Sequence, residues 1–376
     1  MRPPMTLMEP IKPVATAGIT CTVADLRRAV NAAAFVVERR NTIPVLGCLR
    51  IEPLNDKLRI ESTNLDSWLM VDCPATCIEG KPFVIDARLL LALLTGAERD
   101  DSVSITLDGN VVTLRIGPAV ARVQLLCPAS DWPTAPSTKG MSWVSIPEAA
   151  LARMIGRVRW AISTEETRYY LNGIYMHGRE GRLAVTATDG HRLALYHSDI
   201  EYKLPDLIFP RYSVAALCNL MTDGGNQLLR IGGSADPVRM QISGDGWSLT
   251  VKCIDGAYPD YTRVIPDRGT MRGYAVINRA LLRRFPNTRR MHLLRDALKF
   301  DLDKRVANLN SVGLGIDVEI PIEADGDFAI GFNEGYVREV ARIFDTVRIE
   351  ASTARDAALI LTEDPDLTVV VMPMRV

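Results

Sequence analysis

No stretch of this sequence is apolar for long enough to span a bilayer, and aromatic residues make up only 6% of it. A helical membrane protein is thereby excluded. The opening stretch, MRPPMTLMEPIKPVATAG, lacks the charged-then-apolar order of a secretory signal and reads as a Pro-rich leader over residues 1–18. An excess of charge of one sign is also missing. The 44 Lys and Arg against 45 Asp and Glu leave a net −1, so any DNA partner has to be met by a local concentration of positive charge. Histidine is scarce, and the four residues 177, 191, 197 and 292 form no HExxH or other tight ligand cluster. The seven cysteines (21, 48, 73, 77, 127, 218 and 253) are odd in number and scattered, which argues against a disulfide framework and for reduced thiols in a cytoplasmic protein. Cys73 and Cys77, in CPATC, are the one close pair, and no second Cys/His pair stands at zinc-ligand spacing. A GxSxG elbow and a Walker A loop are both absent, and GLG at 313–315 is too short to mark a nucleotide site. No catalytic residue, metal or cofactor is expected.

What the sequence does contain is repetition. With 376 residues, 47% of them hydrophobic and 24% charged, the chain has material for two or three well-buried domains. Segments beginning at Phe83, Leu207 and Phe328 each read as a short apolar strand, a polar or Pro break, a helix of about ten residues and further strand. Their starts lie 124 and 121 residues apart (207 − 83 and 328 − 207). Amphipathic helices are expected from Val23, Ile146 and Ile277, opening each repeat. ESTNLDSWLMV matches TATDGHRLALY as strand, polar turn, strand, and DWPTAP near 131 resembles AYPDYTRV near 257. The expected fold class is α+β, with three tandem copies of one unit, each holding two helices and a mostly antiparallel sheet.

Symmetry of this kind suits an arc or ring better than a single reaction centre. The first helices and their flanks carry Arg27, Arg28, Arg39 and Arg40, then Arg153, Arg157 and Arg159, then Arg279, Arg283, Arg284, Arg289 and Arg290, with few acids. On one side of an arc they would make a positive wall suited to phosphate contacts without base readout; the alternative is a set of solvated helix faces.

Residues 186–197, TATDGHRLALYH, place Asp189, Gly190, His191 and Arg192 in a row. A nucleophilic mechanism would need an activated Ser or Cys held against the histidine, and no such signature is present. Asp and Gly also suit a β-turn, and a turn at a domain boundary is a place where a groove can form.

TRYYLNGIYM (167–176), ATDGHRLAL (187–195), DGAYPDYTRVIP (255–266), NTIPVLGCLRIE (41–52) and VVVMPMRV (369–376) closely resemble the bacterial DNA polymerase III beta subunit, the sliding clamp family. The motifs occur in family order over nearly the whole chain. The resemblance implies three DNA-clamp domains, here 19–140, 141–268 and 269–376, and a head-to-tail homodimeric ring around duplex DNA. It implies no catalytic activity: the ring acts as a processivity factor in DNA replication, tethering its partners at high effective concentration. Those partners would be the DNA polymerase III catalytic subunit, the clamp loader and other proteins with a clamp-binding motif, with no membrane involved.

The resemblance further implies a partner-peptide cleft formed by Leu171, Thr188, Gly190, His191, Arg192, Leu193, Pro259, Arg263 and Val264 on the second-domain side. Asn333, Tyr336, Val370, Val371, Met372, Pro373, Met374, Arg375 and Val376 supply the third-domain side. Arg192, Arg263 and Arg375 would hold a peptide's backbone or carboxylate, Met372 and Met374 would adapt to apolar anchors, and Pro373 would turn the tail into the groove. Arg40, Arg168, Tyr169, Tyr170 and Arg211 are the implied DNA contacts; the alternative for the tyrosines is packing at a domain seam. Two departures stand out. The third repeat runs GLGIDVEIPIEADGD where the family has an Asn-Pro-Glu strand with acid-rich follow-up, which puts the dimer contact of this domain in doubt. Asp267 stands where a basic residue is expected near DNA. Together with the leader, these departures suggest a divergent or secondary clamp, with a clamp-fold adaptor that binds peptides without efficient encirclement as the alternative.

Overall fold

Where the sequence alternates apolar and polar residues it forms antiparallel strand, and where apolar residues recur at three and four it forms helix. The computed structural model describes residues 18–38, 42–77, 80–222, 224–287, 297–311 and 315–375. Leader residues 1–17, Arg39, Arg40, Arg289, Arg290, His292 and Val376 lie outside the described residues. Among the described residues, six α-helices punctuate the repeats in pairs: α1 (Val23–Ala34) and α2 (Ala87–Thr95), α3 (Glu148–Val158) and α4 (Arg211–Leu220), α5 (Arg279–Leu282) and α6 (Glu334–Ile343). In the first and third pairs a side-chain oxygen caps each N-terminus. Thr22, Asp86, Asn278 and Asn333 accept from Asp25, Leu89, Leu281 and Gly335. The second pair follows Pro147 and Pro210 without a side-chain cap. There, buried Glu148 instead accepts the Thr222 N–H at 2.8 Å.

Two differences from the sequence reading concern these helices. A strand precedes each first helix (Ile19–Thr22, Ser142–Pro147 and Gly273–Asn278), so the repeats do not open on helix. The helix expected from Ile277 is one turn long, because Pro286 lacks an N–H and disfavours helical backbone at Phe285.

The described chain divides into two units, one of residues up to Pro136 with Gly246–Leu249, the other the remainder. In the first unit a five-stranded sheet runs Thr76–Cys77, Ile19–Thr22, Ser102–Asp108, Val111–Ile116, Ala119–Gln124. Ser67–Pro74, Lys57–Thr63, Cys48–Leu54 and Phe83–Asp86 follow one another as antiparallel neighbours. The buried stripe of α1 (Val23, Leu26, Ala29, Val30 and Ala33) covers this layer, and the Ser62 hydroxyl donates to the Ala33 carbonyl at 2.7 Å.

In the second unit a nine-stranded sheet runs Leu207–Pro210, Gly173–Arg179, Arg182–Thr188, Arg192–Glu201, Leu367–Val371, Ala358–Leu361, Thr346–Ala351, Gly273–Asn278, Glu323–Asp325. Its central seam pairs Arg192 with Val371, Leu193 with Val370 and Leu195 with Thr368. This seam splices the second repeat to the third and explains why both fall in one unit. A four-stranded sheet, Ile316–Pro321, Val306–Ser311, Ala297–Asp301, Ala329–Asn333, completes the third repeat. The divergent GLGIDVEIPIEADGD segment thus supplies an edge strand, Ile316–Pro321, and the short strand Glu323–Asp325.

Candidate functional site

The turn between Arg182–Thr188 and Arg192–Glu201 is built from its own polar side chains. Asp189 Oδ1 accepts the N–H groups of His191 and Arg192 at 2.9 and 3.0 Å. Thr188 Oγ1 accepts from Gly190 at 3.1 Å and donates to the Arg192 carbonyl at 2.6 Å. Gly190 sits at φ +86°, and a Cβ there would collide with the Arg168 guanidinium. The turn reading of TDGH and the groove reading therefore describe one object, because the tight turn forms the wall of a pocket.

That pocket encloses about 260 Å³ and is lined by Arg168, Tyr170, Leu171, Thr188, Gly190, His191, Arg192, Leu193, Pro259, Asp260, Tyr261, Val264, Val370 and Met372. Its size suits one or two apolar side chains. Leu171, Leu193, Tyr261 and Val370 are buried at its base, while Val264 and Met372 stand exposed at the mouth. The tail reaches it directly: the Met372 N–H donates to the His191 carbonyl at 2.8 Å, and the Met374 N–H donates to Gly331 at 2.7 Å. The strand ends at Val371, two residues before Pro373, and the tail then crosses from the turn to the four-stranded sheet.

Arg192 lines the pocket but is committed to the fold, and several other expected residues lie outside the lining. Arg192 is no free hand for a ligand: its side chain is 9% exposed and ion-paired with both Asp189 and Glu339. Tyr336 stacks on that guanidinium, 4.4 Å from its ring centroid. Asn333 spends its side chain capping α6, and Val371 is wholly buried in the sheet. Arg263 is exposed and paired with Asp260 at 2.9 Å, outside the pocket lining, and Arg375 is exposed at the tail. Conversely, Arg168 and Tyr170, expected as DNA contacts, line the pocket. Tyr169 is 54% exposed and meets Tyr170 edge-on at 5.8 Å, while Arg211 is exposed at the start of α4. Arg40 and Val376 lie outside the described residues. Sequence reading missed Asp260 and Tyr261 in the lining, although both stand inside the quoted DGAYPDYTRVIP motif.

Electrostatics at the rim follow from paired charges. Glu165 takes the Arg168 guanidinium, and this hydrogen bond holds its carboxyl below the usual range. Hydrogen bonds from Thr262 and Arg263 do the same for Asp260. Behind the base, Tyr258, Tyr175 and His177 stack at 4.6 and 4.4 Å, and Tyr261 Oη lies 3.1 Å from His177 Nε2. Burial lowers the His177 imidazole and pushes the Tyr175 phenol up to about 12.

The expected basic wall is only partly available. Arg27 donates to the Leu94 and Ala97 carbonyls at the end of α2, and Arg279 donates to Ala341 and Arg342 at the end of α6. Arg157 pairs with Asp364 at 3.0 Å and lies over the Phe344 ring, and Arg28 pairs with Asp25. Arg153, Arg159, Arg283 and Arg284 are exposed. Asp267, by contrast, spends its carboxylate capping the turn at Gly269. Cys73 and Cys77 part company: Cys73 is buried beside Cys21, and Cys77 reaches the Lys57 carbonyl.

Residues 18–136 match the family described as DNA polymerase III beta subunit, N-terminal domain, and residues 145–260 match its central domain. The beta sliding clamp of Caulobacter vibrioides is 31% identical over 378 residues, covering 95% of this chain and all of that protein. That of Escherichia coli is 27% identical, covering 89% of this chain and 93% of the relative. Among solved structures, the sliding clamp of Bartonella birtlesii bound to griselimycin superposes with a TM-score of 0.86 at 27% identity, over 96% of this chain and all of that one. The Caulobacter crescentus clamp gives 0.83 at 29% identity over the same shares.

Proposed function

The chain belongs to the bacterial DNA polymerase III beta subunit family, the beta sliding clamps, and from that premise we propose that it closes with a second copy into a ring around duplex DNA. The observation that carries this reading is the end-to-end likeness, covering 95% of this chain and all of the Caulobacter clamp, so that each of the three repeats has a counterpart. The proposed domains are 19–140, 141–268 and 269–376. Among the described residues, two open sheet edges support closure. The edge strand Ala119–Gln124 exposes Val120 and Arg122, and the edge strand Ile316–Pro321 exposes Asp317 and Glu319. Unpaired edges of opposite charge are templates for pairing between copies, and a head-to-tail pairing repeated twice closes a ring.

Encirclement needs no tight contact. Exposed Arg153, Arg159, Arg211, Arg283 and Arg284, with Tyr169, touch phosphates in a sequence-independent, salt-sensitive way, and the ring slides. The pocket of Leu171, Gly190, Leu193, Val264, Val370 and Met372 takes apolar anchors from the polymerase catalytic subunit, the clamp loader and similar partners in the cytoplasm. The protein supplies processivity and no chemical step. The adaptor reading draws on the arginines already held by backbone carbonyls and Asp364, which thin the positive wall.

One experiment separates the two readings. The protein is loaded by a clamp loader onto nicked circular DNA, which is then cut once. Retention on the circle with run-off from the linear product is the expected result. Equal retention on both forms, or none with a competent loader, overturns the ring and leaves the adaptor.

A further inference from the structure

Arg192 lines the pocket, and its guanidinium is already engaged by side chains of the protein itself. Asp189 Oδ2 lies 3.0 Å from Nε on one side, and the Glu339 carboxylate takes Nη1 on the other. The Tyr336 and Trp160 ring centroids lie 4.4 and 5.1 Å from its central carbon. These four partners come from three elements: the 188–192 turn, helix α6, where Tyr336 and Glu339 share one face at i and i+3, and the 3-10 turn Arg159–Ala161. Trp160 is itself fixed, its indole N–H donating to the Arg157 carbonyl at 2.6 Å.

We propose that Glu339 and Trp160, neither of which lines the pocket, are positioning residues for partner binding. They hold the Arg192 guanidinium and, through it, the pocket wall. The proposal rests on the pocket being the partner site. The mechanical chain is continuous. Arg192 fixes Asp189, Asp189 fixes the N–H groups of His191 and Arg192, and the His191 carbonyl receives Met372 at the mouth. With side chains 9% and 17% exposed, the Arg192–Glu339 pair is largely shielded from solvent, so removing the Glu339 carboxylate leaves Asp189 as the charged partner of the guanidinium and unties it from helix α6. The turn moves with it, and Gly190 and Met372 leave the positions that shape the pocket. A planar guanidinium between two rings and two carboxylates also has few other places to go, which keeps the wall rigid before a ligand arrives.

The test is a double-mutant cycle on the full-length protein. Its variants are Glu339→Gln, Arg192→Met and the two combined, with Met372→Ala as a pocket control. The probe is a labelled peptide bearing adjacent leucine and phenylalanine anchors, and thermal midpoints are recorded alongside. Glu339→Gln is nearly isosteric, so the fold is expected to stand. The expected result is a rise in peptide Kd of about three- to tenfold for Glu339→Gln, with the double variant no weaker than Arg192→Met alone. A Kd within about twofold of the parent, or effects of the two substitutions that simply multiply, overturns the proposal. If the parent fails to bind the peptide, or Met372→Ala leaves its Kd unchanged, the pocket reading itself falls.

Discussion

Gly190 is required by its backbone angle, and a Cβ there would also push aside the end of the Arg168 side chain. Gly190→Ala therefore strains the turn by about 1–3 kcal/mol and displaces Arg168 from the pocket wall. We expect a lower unfolding midpoint together with several-fold weaker binding of an apolar-anchored peptide; an unchanged midpoint would show that the turn relaxes at no cost. The requirement for glycine here is half legible in the sequence, since Thr-Asp-Gly announces a turn. The neighbouring Arg168, two strands of sequence away, is not announced. Arg192 carries the same lesson with the opposite outcome. Its sequence position suggests a hand held out to a ligand, whereas Glu339 and Tyr336, 147 and 144 residues along the chain (339 − 192 and 336 − 192), turn it into a brace.

At the scale of the element, each second helix in the first and third repeats ends on an arginine lent by the first helix. Arg27 serves α2 and Arg279 serves α6. Carbonyls in the last turn of a helix lack their i+4 partner, and each guanidinium donates there, Arg27 to Leu94 and to Ala97 just past α2, Arg279 to Ala341 and Arg342. Arg27→Ala leaves the Ala97 carbonyl to water and the Leu94 carbonyl to its longer backbone bond from Ala97 at 3.4 Å, and is expected to cost about 1–2 kcal/mol, read by chemical denaturation. Retention on circular DNA should keep its parental salt dependence, because Arg27 is committed to the fold; a shallower salt slope would mean that it touches phosphate. The helix pairs and their spacing were legible from apolar periodicity, whereas the caps at Thr22, Asp86, Asn278 and Asn333 came from the structure. The one-turn length of α5 could have been read from Pro286, which the apolar pattern outweighed.

For the molecule as a whole, pH dependence is set by which titrating groups the fold buries. His177 and His197 are both lowered, each chiefly by burial, with Arg179 adding to the effect at each. Below the unfolded histidine value of 6.5 the unfolded chain binds protons that the folded chain refuses, so stability falls as pH drops through that value and on toward the folded ones. Glu350 acts in a separate window. Its hydrogen bond from Arg268 lowers its carboxyl, so its contribution is present above the ordinary 4.5 and lost as pH falls through the lowered value. Unfolding midpoints taken from about pH 7.5 to about pH 5.5 should decline in the parent and decline less in His177→Gln. Parallel curves would show that His177 protonates as readily folded as unfolded.

The sequence by itself determined the α+β class, the triple repeat, the pairing of helices and the residues of the TDGHR turn. These follow from periodicity and turn chemistry that act over a few neighbouring positions. Only the tertiary structure decided that Arg192–Glu201 pairs with Leu367–Val371, that Arg168 and Tyr170 face the pocket, and that Arg27, Arg157 and Arg279 are spoken for. Those outcomes depend on which carbonyl, ring or carboxylate lies within about 3–6 Å of a cation, and residues far apart in sequence supply most of them.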